Sequence, residues 1–141
     1  MIVLDTNVIS EPLRPNADPS VLAWLDEQAL ETLYLSTISL AELRFGVASL
    51  PAGRRRNGLA RAMEQRIFAM FGQRILPFDD AAATASAKLR VAARKAGKAI
   101  SLTDSYIAAI AAASGFAIAT RDTTPFENAG LKVINPWGSR P

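Results

Sequence analysis

The 141-residue chain contains no cysteine and no histidine. Their absence excludes disulfide scaffolds, thiol nucleophiles, imidazole proton shuttles, Ser-His-Asp triads and ordinary zinc sites. Long apolar runs are lacking as well. The longest, residues 106–113, spans eight residues and is too short to cross a bilayer. Any chemistry must therefore use carboxylates, hydroxyls, Lys, Arg, Tyr or a hard metal ion.

The composition is that of a soluble globular protein, with 50% hydrophobic and 21% charged residues. The length fits one domain, which we predict to cover residues 1–141. The first strand-like residues run directly into Asp5, with no basic leader and no apolar segment of signal-peptide length. We therefore expect a cytoplasmic protein that does not associate with membranes.

Arginine dominates the positive charge. The chain has 16 basic and 13 acidic residues, a net charge of +3, and twelve of the basic residues are Arg. Arginine favours bidentate contacts with phosphate groups, so this bias suits a polyanionic partner. An excess of +3 serves solubility equally well, so charge alone does not decide between these interpretations.

Short apolar runs alternate with longer helical patterns. Runs rich in β-branched or aromatic residues predict buried strands at 2–4, 33–35, 75–76, 116–119 and 131–134. Apolar residues at three- and four-residue spacing predict helices at 20–28, 40–50, 59–71, 85–96 and 104–114. Strands separated by helices favour a parallel sheet with helices on both faces. We therefore predict an α/β domain whose central parallel sheet has four to five strands.

Four acidic residues stand where such a fold places its ligand site. They are Asp5 directly after the first strand, Glu42 early in the helix after the second strand, Asp104 at the start of the alanine-rich helix, and Asp122 after the fourth strand. Ligands of parallel α/β sheets bind beyond the carboxyl ends of the strands, near the point where strand order reverses. We therefore expect the four acids to converge on one rim.

Each acid also has a purely structural interpretation. The segments 39–42 and 101–104 both have the Ser-x-x-acid spacing of a helix capping box. Asp5 and Asp122 fit ordinary N-caps or turn residues. Taken together, however, four carboxylates at one rim repel each other, and partial desolvation would raise their pKa values.

A hard divalent cation would remove this conflict. Carboxylate oxygens suit Mg²⁺ or Mn²⁺, so we predict these ions as cofactors, held by Asp5, Glu42, Asp104 and Asp122. Outside these four positions the chain has 16 basic residues against nine acidic ones, a balance of +7. An acidic pocket on a basic body fits a metal-dependent enzyme that acts on a polyanion.

Four blocks of sequence also occur in the order of a known family. They are Met1–Glu11, Ser36–Gly46, Ser101–Ala109 and Ala119–Asp122. In these blocks the chain resembles PIN-domain proteins, specifically the VapC-type and FitB-type toxins of bacterial toxin–antitoxin pairs. Residues 52–98 carry no motif that the resemblance places.

The resemblance implies a three-layer α/β/α fold and a Mg²⁺- or Mn²⁺-dependent endoribonuclease site. The acidic positions of the family fall on Asp5, Glu42, Asp104 and Asp122, and its polar position after the fourth strand falls on Thr120. The resemblance further implies an RNA substrate, a homodimer and a small cognate antitoxin protein. Operator DNA would be bound only through the antitoxin.

Further residues are candidates for supporting roles. Asn7 and Thr120 are expected to position ligands or water through hydrogen bonds. Arg44 and Arg121 are candidates for phosphate contacts, as is the run Arg54–Arg56. A solvated surface explains each of these arginines equally well.

Two other functions stay open at this point. A phosphoryl-transfer domain also places Asp at strand ends, but a receiver needs Lys after the last strand, where this chain has Asn135. An aspartyl-phosphatase needs a second Asp where this chain has Asn7. The other alternative is a non-catalytic α/β module that binds RNA or a protein, and the presence of all four acids argues against it.

Overall fold

The chain alternates strands and helices, as a computed structural model that describes residues 1–138 shows. The strands are β1 (Ile2–Leu4), β2 (Leu33–Ser36), β3 (Ile75–Leu76), β4 (Ala117–Ala119) and β5 (Val133–Ile134). The helices are α1 (Thr6–Ser10), α2 (Pro19–Glu27), α3 (Thr37–Ala48), α4 (Arg54–Ala62), α5 (Ala69–Phe71), α6 (Asp80–Lys95), α7 (Leu102–Ser114) and α8 (Thr123–Asn128). A π-helical segment (Met63–Phe68) joins α4 to α5.

The five strands form one parallel sheet in the order β3-β2-β1-β4-β5. In the centre of the sheet, Val3 of β1 pairs with Tyr34 of β2 on one side and with Ile118 of β4 on the other. The chain adds β2 and β3 on one side of β1 and then places β4 and β5 on the other. Strand order therefore reverses between β1 and β4, and the carboxyl ends of these strands flank the switch point.

Alternate strand residues fill two apolar cores, one on each face of the sheet. Leu4 and Leu35 belong to the core that includes buried residues of α1, α3 and the segment 63–71. Val3 and Ile118 belong to the core that includes α7 and α8. Helices thus cover both faces, which confirms the predicted three-layer α/β/α architecture and explains why the strands are continuously apolar.

The start of α3 differs from the sequence prediction. The helix begins at Thr37 because Ser36, the last residue of β2, is its N-cap, and the Ser36 Oγ accepts a hydrogen bond from the Ser39 N–H at 3.0 Å. The alternative interpretation of residues 39–42 as a capping box is therefore wrong, since Glu42 lies too far into the helix to cap it. At α7 only the serine half of the corresponding capping box is confirmed: the Ser101 Oγ accepts from the Asp104 N–H at 3.1 Å.

Two short helices, α1 and α8, were not predicted. They have five and six residues, too few for an apolar repeat to be recognised in sequence. The predicted helix over residues 59–71 begins earlier, at Arg54, so the run of three arginines lies in α4. Within residues 1–138, no helix combines the length and the hydrophobicity needed to span a membrane.

Candidate active site

Asp5 lies at the switch point, where hydrogen bonds of its N–H and of both carboxylate oxygens hold it. Its backbone N–H donates to the Ala119 carbonyl at 2.9 Å, which extends the pairing of β1 with β4 beyond the strand end. Its Oδ1 accepts from the Thr6 N–H at 2.8 Å and caps α1, and its Oδ2 accepts from the Thr120 hydroxyl at 2.8 Å. Since a carboxylate oxygen accepts about two hydrogen bonds, each oxygen keeps room for a further ligand.

The Asp5 carboxyl is almost completely shielded from solvent and forms no ion pair with a described residue. The residue is only 5% exposed, and burial raises its pKa from the ordinary 3.8 to about 6. The hydrogen bonds from Thr120 and Thr6 act in the opposite direction, whereas the charges of Asp104 and Glu42 raise the pKa further. Among the described residues no cation pairs with Asp5, so its electrostatics favour a bound cation.

Thr120 connects Asp5 to Asp122. Its side chain is fully buried, and its hydroxyl donates to Asp5 and accepts from the Asp122 N–H at 3.2 Å. Asp122 precedes α8, but its carboxylate does not cap that helix and accepts no side-chain hydrogen bond within residues 1–138. The expected positioning role of Thr120 thus has a geometric basis, and the Asp122 carboxylate is available to a ligand.

Asp104 reaches the same region from the first turn of α7. Its backbone N–H donates to the Ser101 hydroxyl at 3.1 Å, which is the bond that caps the helix. Burial raises the pKa of this partly buried carboxyl, a side-chain hydrogen bond with Ser101 lowers it, and the charge of Asp122 raises it again. Asp122 is thus the neighbouring acid whose negative charge acts on Asp104.

A chain of hydroxyl groups holds Glu42. The Thr6 Oγ1 donates to the Glu42 carboxylate and lies 3.0 Å from the Ser39 Oγ, which is 3.3 Å from the Ser36 Oγ. A hydroxyl has a single proton and a carboxylate can only accept, so the Thr6 proton goes to Glu42 and that of Ser39 to Thr6. Sequence reasoning did not predict the hydroxyl contacts of Thr6 and Ser39. The signal available in the sequence was the i, i+3 spacing of Ser36 and Ser39, which is typical of a helix N-cap.

The four predicted acids are brought to one rim but do not form a closed cluster. Glu42 and Asp104 act on Asp5, and Asp122 acts on Asp104. Within residues 1–138, however, no group of three or more acidic side chains is close enough to hold a metal ion. The expected four-carboxylate ligand cluster is therefore not present in this arrangement.

The donor set nevertheless fits a hard divalent ion. Mg²⁺ usually keeps several waters and is bound by one or two carboxylates together with substrate phosphates, which requires fewer protein ligands than we expected from the sequence. Asp5 offers two fixed oxygens, and Asp104 and Asp122 offer carboxylates that no described cation neutralises.

Comparison with known proteins identifies the family. The PIN-domain family model matches residues 2–131. The chain belongs to the PIN-domain family. It is 54% identical to the VapC ribonuclease Y4jK of Sinorhizobium fredii over 137 residues, which is 97% of this chain and 98% of that protein. It is 51% identical to Toxin FitB of Neisseria gonorrhoeae over 137 residues, 97% of this chain and 99% of that protein.

A solved structure, that of FitAB bound to an IR36 DNA fragment, superimposes with a TM-score of 0.96 at 50% sequence identity. The superposition covers 100% of this chain and 99% of the other. The resemblance seen in the four sequence blocks is thus confirmed over nearly the whole PIN domain.

The supporting residues of the PIN domain have varied environments. The Asn7 Oδ1 accepts from the Arg121 N–H at 3.4 Å and so connects the start of α1 to the loop after β4. The Arg121 guanidinium lies 5.2 Å from the centre of the Trp137 ring. Arg44 forms a bidentate ion pair with Glu64, at 2.9 and 3.2 Å. A phosphate contact by Arg44 would therefore have to compete with Glu64.

Glu11 is a buried acid to which the sequence analysis assigned no role. The residue is 3% exposed, its Oε1 pairs with Arg14 at 3.2 Å, and its Oε2 accepts from the Asp18 N–H at 2.9 Å. Both oxygens are thus used to hold the segment between α1 and α2. Glu11 is a structural carboxylate, in contrast to Asp5.

The raised pKa of Asp5 predicts a pH-dependent stability of the metal-free protein. The native state binds the Asp5 proton more tightly than the unfolded state, so the free energy of unfolding falls as the pH rises from about 4 to 6. A shift from 3.8 to about 6 corresponds to about 3 kcal/mol. In EDTA at pH 7, Asp5→Asn should therefore be more stable than the wild type. The gain should be at most this amount, because Asn has one side-chain oxygen and can replace only one of the two hydrogen bonds that the Asp5 carboxylate accepts.

Urea denaturation between pH 4 and 7 measures this effect. The gain should shrink towards pH 4, and the exposed-site variant Asp26→Asn should show no such trend. Equal stability of Asp5→Asn and the wild type at pH 7 would contradict the account of a destabilising buried charge.

Proposed function

We propose that this PIN domain is a Mg²⁺- or Mn²⁺-dependent endoribonuclease and the toxin of a toxin–antitoxin pair. The observation that carries the proposal is the acidic rim at the switch point, centred on the buried and uncompensated Asp5 carboxylate. Two further points support it: the chain lacks the histidines that metal-independent ribonucleases use, and a VapC ribonuclease is 54% identical over 137 residues.

Asp5 together with Asp104 or Asp122 would hold the ion directly, and the other carboxylates of the rim would act through coordinated waters, with Glu42 orienting the attacking water. A bound Mg²⁺ or Mn²⁺ supplies Lewis acidity towards the scissile phosphate and lowers the pKa of a coordinated water. Thr120 keeps Asp5 and the Asp122 backbone in register, and Thr6 keeps the Glu42 carboxylate turned towards α1. In-line attack of a water oxygen on phosphorus would break the bond to the 3′ oxygen, which takes up a proton, and would leave 5′-phosphate and 3′-hydroxyl ends.

The proposal includes partners. A small cognate antitoxin would inhibit the enzyme. A basic side chain of the antitoxin, inserted among the rim carboxylates, would compete with the metal ion for their negative charge. Operator DNA would be bound only through the antitoxin, in a complex analogous to FitAB on its DNA fragment. We also propose a homodimer located in the cytoplasm.

Cleavage of RNA tests the proposal directly. The wild type should cut single-stranded RNA in Mg²⁺ or Mn²⁺, EDTA should stop the reaction, and added Mn²⁺ should restore it. Asp5→Asn should lower the rate at least about 100-fold, since loss of a group that only supports a metal ligand already costs about 10- to 100-fold. Asp26→Asn, at an exposed position of α2, is the control that should retain the wild-type rate. Cleavage that resists EDTA, or that survives Asp5→Asn, would refute the mechanism.

Thr120 provides a finer test of positioning. Thr120→Val keeps the side-chain shape but removes the hydroxyl that joins Asp5 to Asp122, so the Mn²⁺ concentration needed for half-maximal activity should rise about 10- to 100-fold. Thr120→Ser keeps the hydroxyl and should stay within about threefold of the wild type. Equal metal requirements of the Val and Ser variants would show that the hydroxyl does not act through the metal site.

A further inference from the structure

The C-terminal half of α6 lines a basic cavity outside the acidic rim. The cavity has a volume of about 600 Å³, and its lining includes the cations Arg90, Arg94 and Lys98 together with the apolar side chains of Val91 and Ile100. None of these residues belongs to the four blocks that carry the family resemblance, and the proposed mechanism uses none of them.

The local backbone places the three cations together. Arg90 and Arg94 are four residues apart and so lie on the same face of α6. The helix ends in a Schellman motif: Gly97 adopts φ +67°, its N–H donates to the Arg94 carbonyl at 3.1 Å, and the Lys98 N–H donates to the Ala93 carbonyl at 2.9 Å. Because these bonds fix the backbone of Lys98 at the helix end, its position at the cavity is built into the fold.

The positive charge of the cavity is not neutralised by the described part of the chain. No acidic residue occurs between positions 81 and 103, and within residues 1–138 none of the three cations forms a salt bridge. The helix dipole favours cations in the last turn and so accounts for Arg94. That effect does not extend to Arg90, which lies before the last turn, so the dipole alone does not explain the cluster.

The cavity lies close to the acidic rim along the chain. Ile100 lines the cavity, Ser101 caps α7, and Asp104 lies in the first turn of that helix. Asp104 is the fourth residue after Ile100, so their Cα atoms are at most about 15 Å apart. A nucleic-acid strand with one phosphate at the rim would therefore reach the cavity within a few nucleotides.

We infer that this cavity binds backbone phosphates of the RNA strand on one side of the scissile bond. The inference rests on the proposed function and adds to it a subsite that positions the substrate. Arginine forks match phosphate oxygens in bidentate geometry, and lysine contributes a point charge. These contacts would be independent of base sequence, because phosphates position a strand without specifying it.

Binding measurements with a charge-neutralised variant test the inference. The variant Arg90→Gln/Arg94→Gln/Lys98→Gln is compared with Arg54→Gln/Arg55→Gln/Arg56→Gln, which loses the same charge from α4. Fluorescence anisotropy of a labelled single-stranded RNA is followed in EDTA at several salt concentrations, so that no cleavage occurs. Loss of three phosphate contacts should reduce the slope of log K against log salt by about two. The α4 variant should change the slope by less than half as much.

A conservative variant and kinetics complete the experiment. Arg90→Lys/Arg94→Lys/Lys98→Arg keeps all three charges and should keep the wild-type salt slope. In Mn²⁺, the neutralised variant should raise KM about tenfold and leave kcat within about twofold, as expected for contacts made equally in the ground and transition states. Melting temperatures close to that of the wild type establish that the exposed substitutions leave the fold intact.

Two results would overturn the inference: unchanged RNA binding by the neutralised variant, or an equal loss in the α4 variant, which would indicate a diffuse charge effect. Poly-glutamate serves as a probe for an acidic protein. If the neutralised variant loses poly-glutamate binding but keeps its RNA affinity, the cavity is assigned to an acidic protein and the inference is overturned as well. If the wild type cuts RNA but the neutralised variant binds normally, only the inference fails. If RNA binds through the cavity but is never cut in Mn²⁺, the proposed function fails and the RNA subsite stands.

Discussion

The arrangement of the rim depends on one buried carboxylate. Asp5 is 5% exposed, its two oxygens are fixed by Thr6 and Thr120, and no described cation compensates its charge. Burial and the neighbouring acids raise its pKa to about 6. Near neutral pH the fold thus holds a charge at an energetic cost that a bound divalent cation would remove. This cost, rather than the number of acids, is the strongest physical argument for a metal site.

The sheet topology creates this position. Asp5 follows β1 and Thr120 follows β4, and these strands flank the point where strand order reverses. Glu42 arrives on the helix that follows β2, and Asp104 on the helix that leads into β4. Residues from four distant parts of the chain are brought to one rim because parallel strands end at a common edge. The basic cavity belongs to the same crossover from β3 to β4, where the C-terminal half of α6 and the segment 97–100 line it.

The sequence predicted the elements and the acids better than it predicted their contacts. Apolar runs located all five strands, and the residues after them located Asp5 and Asp122, because strand burial leaves a strong local pattern. The cap of α3 by Ser36 was missed because hydroxyl capping depends on where a strand ends, which apolar patterns define to within a few residues. The pairing of Thr6 with Glu42 joins residues 36 positions apart, and no single-chain pattern encodes such a contact.

The distances between the acidic side chains could not be predicted from the sequence either. Their positions after strands and at helix starts predict that the acids share one rim. Whether three of them can reach a single ion depends on the orientation of their side chains. Arg44 shows the same limit: its charge suggested a phosphate contact, whereas the structure pairs it with Glu64.

Titration calorimetry of Mn²⁺ into EDTA-treated protein tests the central claim most directly. The account predicts saturable binding that Asp5→Asn abolishes, and binding that is absent or insensitive to Asp5→Asn would contradict it and favour a non-catalytic module.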